Sequence, residues 1–321
     1  MSSQLKIRAA THAGTWYSGS YTTLNRELDE FLKEAPPQIA GARVLVGPHA
    51  GYSYAGSTLA QTYKAFDGTN IKRVFILGPS HHVYFKNKAM TSGCDTYETP
   101  IGNIEVDRET ISALLRDHPK LYNQMSLSVD EEEHSFEMHM PFLYKVSCNL
   151  SQGVPKVIPI MIGSTDEAFE QKVASSLKPY YENTENAFVI STDFCHWGSR
   201  FGYTSYTPNA EISNLTDLKH SSSILNKKDS IPIYKSIEFL DKKAMQIASI
   251  GSYKVFRKYL RETENTICGA KPLSILLSMM ESSSTNNNES NFKWIGYKQS
   301  SRVTSPRDSS VSYASGYAVV D

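Results

Sequence analysis

The chain has 321 residues, with 33 basic and 33 acidic side chains and therefore no formal net charge. Nucleic-acid-binding proteins usually carry a basic excess, so nucleic acid is not an expected partner. Apolar residues make up 40% and charged residues 21%, which suits a packed core and excludes a mostly disordered chain. No run reaches the roughly 18 apolar residues that a membrane span needs, and the opening MSSQLKIRAATHAG has no signal-peptide stretch. The four cysteines are scattered, with no CxxC pair. That pattern predicts a soluble, reduced, cytoplasmic protein without membrane insertion.

In chain order, residues 11–17 combine His, Gly and aromatics, as a packed cap or a pocket wall. Leu24, Leu28, Phe31 and Leu32 then fit one helix face. Short apolar, β-branched runs at 43–46, 73–77, 156–162 and 187–190 read as buried strands. Between the last two, Phe169, Val173 and Leu177 predict a helix, and Ser164-Thr165-Asp166-Glu167 has the form of a capping box ahead of it. Residues 204–230 are rich in Ser, Asn and Lys and read as a polar surface loop. Ile237, Leu240, Ala244 and Ile247 fit a further helix, and 273–280 another. The low-complexity stretch 281–290 reads as a second surface loop, before strands at 292–297 and 313–320. Near-continuous apolar strands alternating with helices predict one α/β domain over 1–321, with a central mixed or mostly parallel sheet flanked by helices.

Three of the strand runs end alike. Residues 44–46 lead into Gly47-Pro48-His49, 74–77 into Gly78-Pro79-Ser80-His81-His82, and 188–190 into Ser191-Thr192-Asp193-Phe194-Cys195-His196. Ligands of open α/β sheets sit beyond the carboxyl ends of the strands. Parallel strands would therefore bring His49, His81 and His196 to one edge. His82 should point away from it. Asp193 and His196, three apart, can share one side of a turn. Cys268 precedes Pro272 and an apolar helix, so it reads either as a small buried hydrophobe or as a ligand near a helix N-terminus, where the dipole favours thiolate. Cys94 and Cys148 read as small buried hydrophobes, and Cys195 is ambiguous. Imidazole and thiolate together suit zinc, copper or iron. The run 130–133 is acidic and reads as a solvated helix start, followed by His134 and Glu137, which can share a helix face and support a site from behind. No GxGxxG or P-loop is present, and 51–55 lacks the last glycine of a GxSxG elbow.

The motifs PHAGYSYAG, ILGPSHH, DEEEHSFEMHMPF, STDFCHWG, NTICG and DSSVSYASGYA together resemble the Memo family, the mediators of receptor-driven cell motility. The resemblance implies a fold like that of class III extradiol dioxygenases, in which two histidines and a carboxylate hold iron and a further histidine acts as acid or base. By this likeness His49 and His81 are metal ligands. Cys268 takes the place of the carboxylate ligand, which counts against ring-cleaving dioxygenase activity. His196 is the acid/base residue, and Asp193 its neighbour or an extra ligand. The implied cofactor is copper or iron, with zinc as a third option and a zinc hydrolase as the corresponding activity. The resemblance also implies redox chemistry, a role in motility and invasive growth, a cytoplasmic and nuclear location, and phosphotyrosine-containing signalling partners. The alternative function is a non-catalytic phosphopeptide-binding module that reuses the pocket, with Arg200 as the nearest cation in sequence.

Overall fold

The computed structural model describes residues 5–226, 229–283 and 292–320. Its centre is a nine-stranded mixed sheet. The strands are β1 (Ala42–Gly47), β2 (Arg73–Pro79), β3 (Ala89–Thr91), β4 (Tyr122–Gln124), β5 (Lys156–Ile162), β6 (Asn186–Ser191), β7 (His196–Trp197), β8 (Lys293–Gln299) and β9 (Ser310–Val319). They lie in the order β7-β9-β1-β6-β2-β5-β3-β4, with β8 also paired to β9. The four central strands β1, β6, β2 and β5 are mutually parallel, and β9 and β3 run against their neighbours on either side. All six residues of β1 and of β6 are buried, as the unbroken apolar runs require of strands covered on both faces.

Two groups of helices flank the sheet. The first comprises α1 (Tyr21–Glu34), α2 (Tyr52–Ala65) and, after α3 (Arg108–Asp117), α4 (Leu127–Glu132) and α5 (His134–Glu137), also α6 (Met140–Ser147). The second comprises α7 (Glu167–Tyr181), α9 (Tyr253–Thr263) and α10 (Ala270–Ser282), with α8 (Ile233–Ile250) packed on α9. The α7 N-cap is Asp166, whose carboxylate accepts from the Phe169 amide at 2.8 Å, so the cap lies two residues after the Ser164 of the expected capping box. The main core runs through both groups. Phe75 of β2 stacks on Phe188 of β6 at 4.7 Å, nearly parallel.

Two sequence expectations need correction. The stretch 204–230 is not simply surface. Ser205–Tyr206 pairs with Thr216–Asp217, and Tyr206 and Leu218 are buried in a second apolar cluster with Cys195, Trp197, Ile233 and Ile237. Tyr206 keeps its hydroxyl satisfied on the Ile231 carbonyl at 2.6 Å, which is why a polar-looking segment can pack. Of the second expected loop, 281–282 belong to α10, and 284–290 lie outside the described residues.

Truncating Phe188 to Ala removes one ring of the central stack and leaves a cavity. Equilibrium urea unfolding should show a loss of about 3–5 kcal/mol.

Candidate metal centre

Strands β1, β6 and β2 are adjacent and end almost flush. Gly47 pairs with Ser191, and Leu77 with Ile190. The loops that follow therefore leave the sheet side by side. His49 and His81 meet there edge to face, with ring centroids 5.1 Å apart. Cys268 arrives from the lead-in to α10. Gly269, the α10 N-cap, has its amide on the Thr192 hydroxyl at 2.9 Å, and a Cβ there would come within 2.3 Å of Thr192. Only glycine lets the helix approach this closely, and the approach sets the Cys268 sulfur 3.2 Å from Nε2 of His49. One donor atom each from His49, His81 and Cys268 lies within 4.8 Å of the others.

Both histidines are held from behind. The His81 amide and its Nδ1 donate to the two oxygens of Glu133, at 2.8 and 2.7 Å. A carboxylate can only accept, so His81 keeps a proton on Nδ1, and it is Nε2 that serves as ligand once it gives up its own proton. His49 is buried, and its amide donates to Oδ1 of Asp193 at 2.9 Å. The arrangement of two imidazoles and a sulfur, with outer carboxylates, fits a soft or borderline transition-metal ion.

The electrostatics follow from burial first. Burial acts to lower the His81 pKa, but hydrogen bonds to Cys268 and Glu133 outweigh it and carry it up to about 10. Burial would raise Glu133, yet the bonds and charge of His81 take it down to about 2. Burial, and then the charge on His81, hold His49 well below its ordinary value and bring His134 down to about 3. Rings this close cannot all be charged. Burial also pushes the Cys268 thiol up, partly offset by His81. The expectation is of a thiol acidified by the helix end, but loss of water is the largest influence on it and acts the other way.

The remaining predicted residues surround this group. Asp193 is buried, and burial pushes its carboxyl up against the charge of His196 and the bonds from the His49 and Ala50 amides. It braces the His49 loop. The His196 Nδ1 lies 2.9 Å from the Phe194 carbonyl and 3.1 Å from that of Thr266, so it donates there and leaves Nε2 free. His196 and Asp193 are not within the donor group of His49, His81 and Cys268. His82 is exposed and outside it as well. Cys195 is fully buried in the second apolar cluster, whereas Cys148 is exposed rather than buried as expected.

Several residues at the site escaped the sequence reading. Glu133 closes an acidic run but is fully buried against His81. The signal was the interleaving of charge with apolar residues just after it, since Phe136, Met138 and Met140 are all buried. His134 does not support the site from behind with Glu137. Its ring stacks between His81 at 4.3 Å and Trp16 at 4.4 Å, and its buried Nδ1 has no hydrogen-bond partner. Glu137 instead anchors the N-terminal wall. It pairs with the buried Arg8 and accepts from Tyr17 at 2.8 Å and from the His12 amide at 2.9 Å. A cavity of about 390 Å³ opens beside the centre, lined by Trp16, Ala50, Tyr54, Arg200 and Tyr313. A larger cleft of about 870 Å³, by α1 and α6, shares no residue with the histidine cluster.

A sequence profile described as Memo-like protein matches residues 8–317. The chain is 38% identical to MEMO1 family protein MHO1 of Saccharomyces cerevisiae, over 98% of this chain and 100% of the relative. It is likewise 38% identical to Protein MEMO1 of Xenopus laevis, over the full length of both. With MEMO1 family protein C4H3.04c of Schizosaccharomyces pombe the identity is 40%, over 97% of this chain and 99% of the relative.

The Glu137 site carries a pH prediction. Burial alone would raise this carboxyl, but His12, Arg8 and Tyr17 bring it down to about 2 from an ordinary 4.5. A depressed acid stabilises the fold above its unfolded value, and that stability is lost as pH falls from about 4.5 through 2. Glu137→Gln should cost about 3 kcal/mol at pH 7. Urea midpoints should show that difference shrinking as pH falls through this window; an unchanged difference would refute the pairing.

Proposed function

The chain belongs to the Memo family, and on that premise we propose that it is a mononuclear metal protein whose bound copper or iron supports redox chemistry. His49, His81 and Cys268 would hold the ion, which when bound supplies electron transfer and Lewis acidity. The observation that carries this reading is the close approach of those three donors, within 4.8 Å, with the His81 Nδ1–H donated to the Glu133 carboxylate. The donor set also admits zinc, which would turn the site towards hydrolysis. Thiolate in place of a carboxylate favours copper over the usual oxygen-activating iron triad. His196 serves as the acid/base group, because its Nδ1–H is fixed on two carbonyls and its Nε2 can take or give a proton. Asp193 supports the His49 loop by accepting from the His49 amide. In the cell this chemistry would serve motility and invasive-growth signalling, in the cytoplasm and the nucleus. No described helix is long and apolar enough to cross a membrane.

A second reading is favoured by the cavity beside the centre. Arg200 lines it together with Trp16, Tyr54 and Tyr313, and its guanidinium lies over the Phe201 ring at 4.5 Å. A cation with aromatic walls suits a phosphotyrosine side chain. The pocket would then dock a signalling partner, with or without turnover.

Anaerobically purified protein should contain copper or iron by elemental analysis, and Cys268→Ala should lose most of it. Unchanged content in the variant would eliminate Cys268 as a ligand. For the second reading, a phosphotyrosine peptide should bind the wild type at least ~10-fold more tightly than Arg200→Ala, the loss expected of one charge-assisted hydrogen bond. Equal binding would remove Arg200 from the docking surface.

A further inference from the structure

On the side of His49 away from Cys268, Nδ1 lies 2.7 Å from the hydroxyl of Ser191. The same hydroxyl is 3.0 Å from Nε2 of His139 and 2.7 Å from the carbonyl of Ser135. A serine hydroxyl has one proton and two lone pairs. The Ser135 carbonyl can only accept, so it takes the proton. The two lone pairs then receive an N–H from each ring. Beyond His139, the Tyr63 hydroxyl lies 3.0 Å from its Nδ1. Tyr63 and His139 are fully buried. Burial keeps the Tyr63 proton in place and takes His139 down to about 3, so His139 is neutral. With its Nε2–H on Ser191, His139 offers Nδ1 as an acceptor, and Tyr63 donates to it. This assignment gives a partner to each polar atom along the row Tyr63, His139, Ser191 and His49 Nδ1.

We propose that Tyr63, His139 and Ser191 are positioning residues that hold His49 in its Nδ1–H tautomer, with the Nε2 lone pair facing the Cys268 sulfur. A metal ion can then bind His49 without first displacing a ring proton. The benefit for metal binding rests on His49 being a ligand; the tautomer itself does not. Glu133 likewise holds the Nδ1–H of His81, with a carboxylate. The two ligand histidines are thus pre-set by different groups, one charged and one neutral. A neutral acceptor adds no second negative charge beneath a buried ring. The competing arrangement sends the Ser191 proton to His49. It deprives the Ser135 carbonyl of this donor and aims an Nε2–H at the sulfur, 3.2 Å away.

Nitrogen-labelled histidine in the metal-free protein distinguishes the two by NMR. The His49 signals, identified by their loss in His49→Ala, should report Nδ1–H. Finding Nε2–H would overturn the proposal. Ser191→Ala should mix the His49 tautomers and weaken binding of zinc ion, used as the probe, by ~10–100-fold, the usual effect of losing a group that orients a ligand. Ser191→Thr, which keeps the hydroxyl, should restore both. A Ser191→Ala protein with the wild-type tautomer and wild-type zinc affinity would also overturn it. The wild-type spectrum decides the matter even where Ser191→Ala does not fold. If His49→Ala binds zinc as well as wild type does, the reading of His49 as a ligand fails, while the tautomer measurement stands.

Discussion

Three adjacent parallel strands that stop at nearly the same level are the constraint on which the rest of this molecule depends. The pairing of Gly47 with Ser191, and of Leu77 with Ile190, places the ends of β1, β6 and β2 in one row. Loops from such ends have nowhere to go but outward on the same edge. His49, Asp193 and His81 are far apart along the chain and become neighbours for that reason alone. A one-residue slip of any of the three would turn its apolar side chains over and move its loop, so burial of both sheet faces protects the site's geometry. The fourth contributor, Cys268, needs a helix to come unusually near the sheet. Gly269 permits it, since no side chain would fit against Thr192.

The polar residues beneath the site then have a common logic. Both ligand histidines are matched by partners that fix their protons. Glu133 accepts the Nδ1–H of His81, Ser191 faces His49, and the Asp193 carboxylate holds the His49 backbone. Removing water makes such groups costly when unmatched and directional when matched. The same rule governs the wall. Arg8 is fully buried, yet it meets Glu137 and four carbonyls, those of Ala9, Asp130, Glu131 and Glu133. The last three belong to the segment that carries Glu133. The N-terminal residues thus tie down the loop that orients His81, and Trp16 packs at a tilt against the His134 ring beside it.

Much of this was legible from residues alone. The four central strands are unbroken apolar runs because both of their faces are covered, and such runs stand out. Helices α1, α7, α8 and α10 show the spacing of a buried stripe. The short strands β3 and β4, at the far edge, have three residues each and no period to detect. Helix α4 was masked by its acidic composition, although its Asp130 is buried against Ser92 and Tyr97. Residues 204–230 look polar because some of their hydroxyls are satisfied by backbone carbonyls, as Tyr206 is by Ile231 and Ser230 by Ile224, which composition does not reveal.

The division between the two kinds of information is physical. By itself the sequence determined the class of fold, the helices and strands with one strong apolar signal, and the three strand-end motifs that hold His49, His81 and His196. These are local properties, written in spacing and residue type. Only the tertiary structure decided which donors come within reach of one another, that Glu133 rather than Glu137 stands behind His81, and that burial raises the Cys268 thiol. Those outcomes depend on dehydration and on distances between segments far apart in the chain, 52 residues for His81 and Glu133 and 219 for His49 and Cys268. No local pattern encodes the dielectric around an atom. It emerges once the sheet, the α10 lead-in and the N-terminal wall have closed around the same few rings.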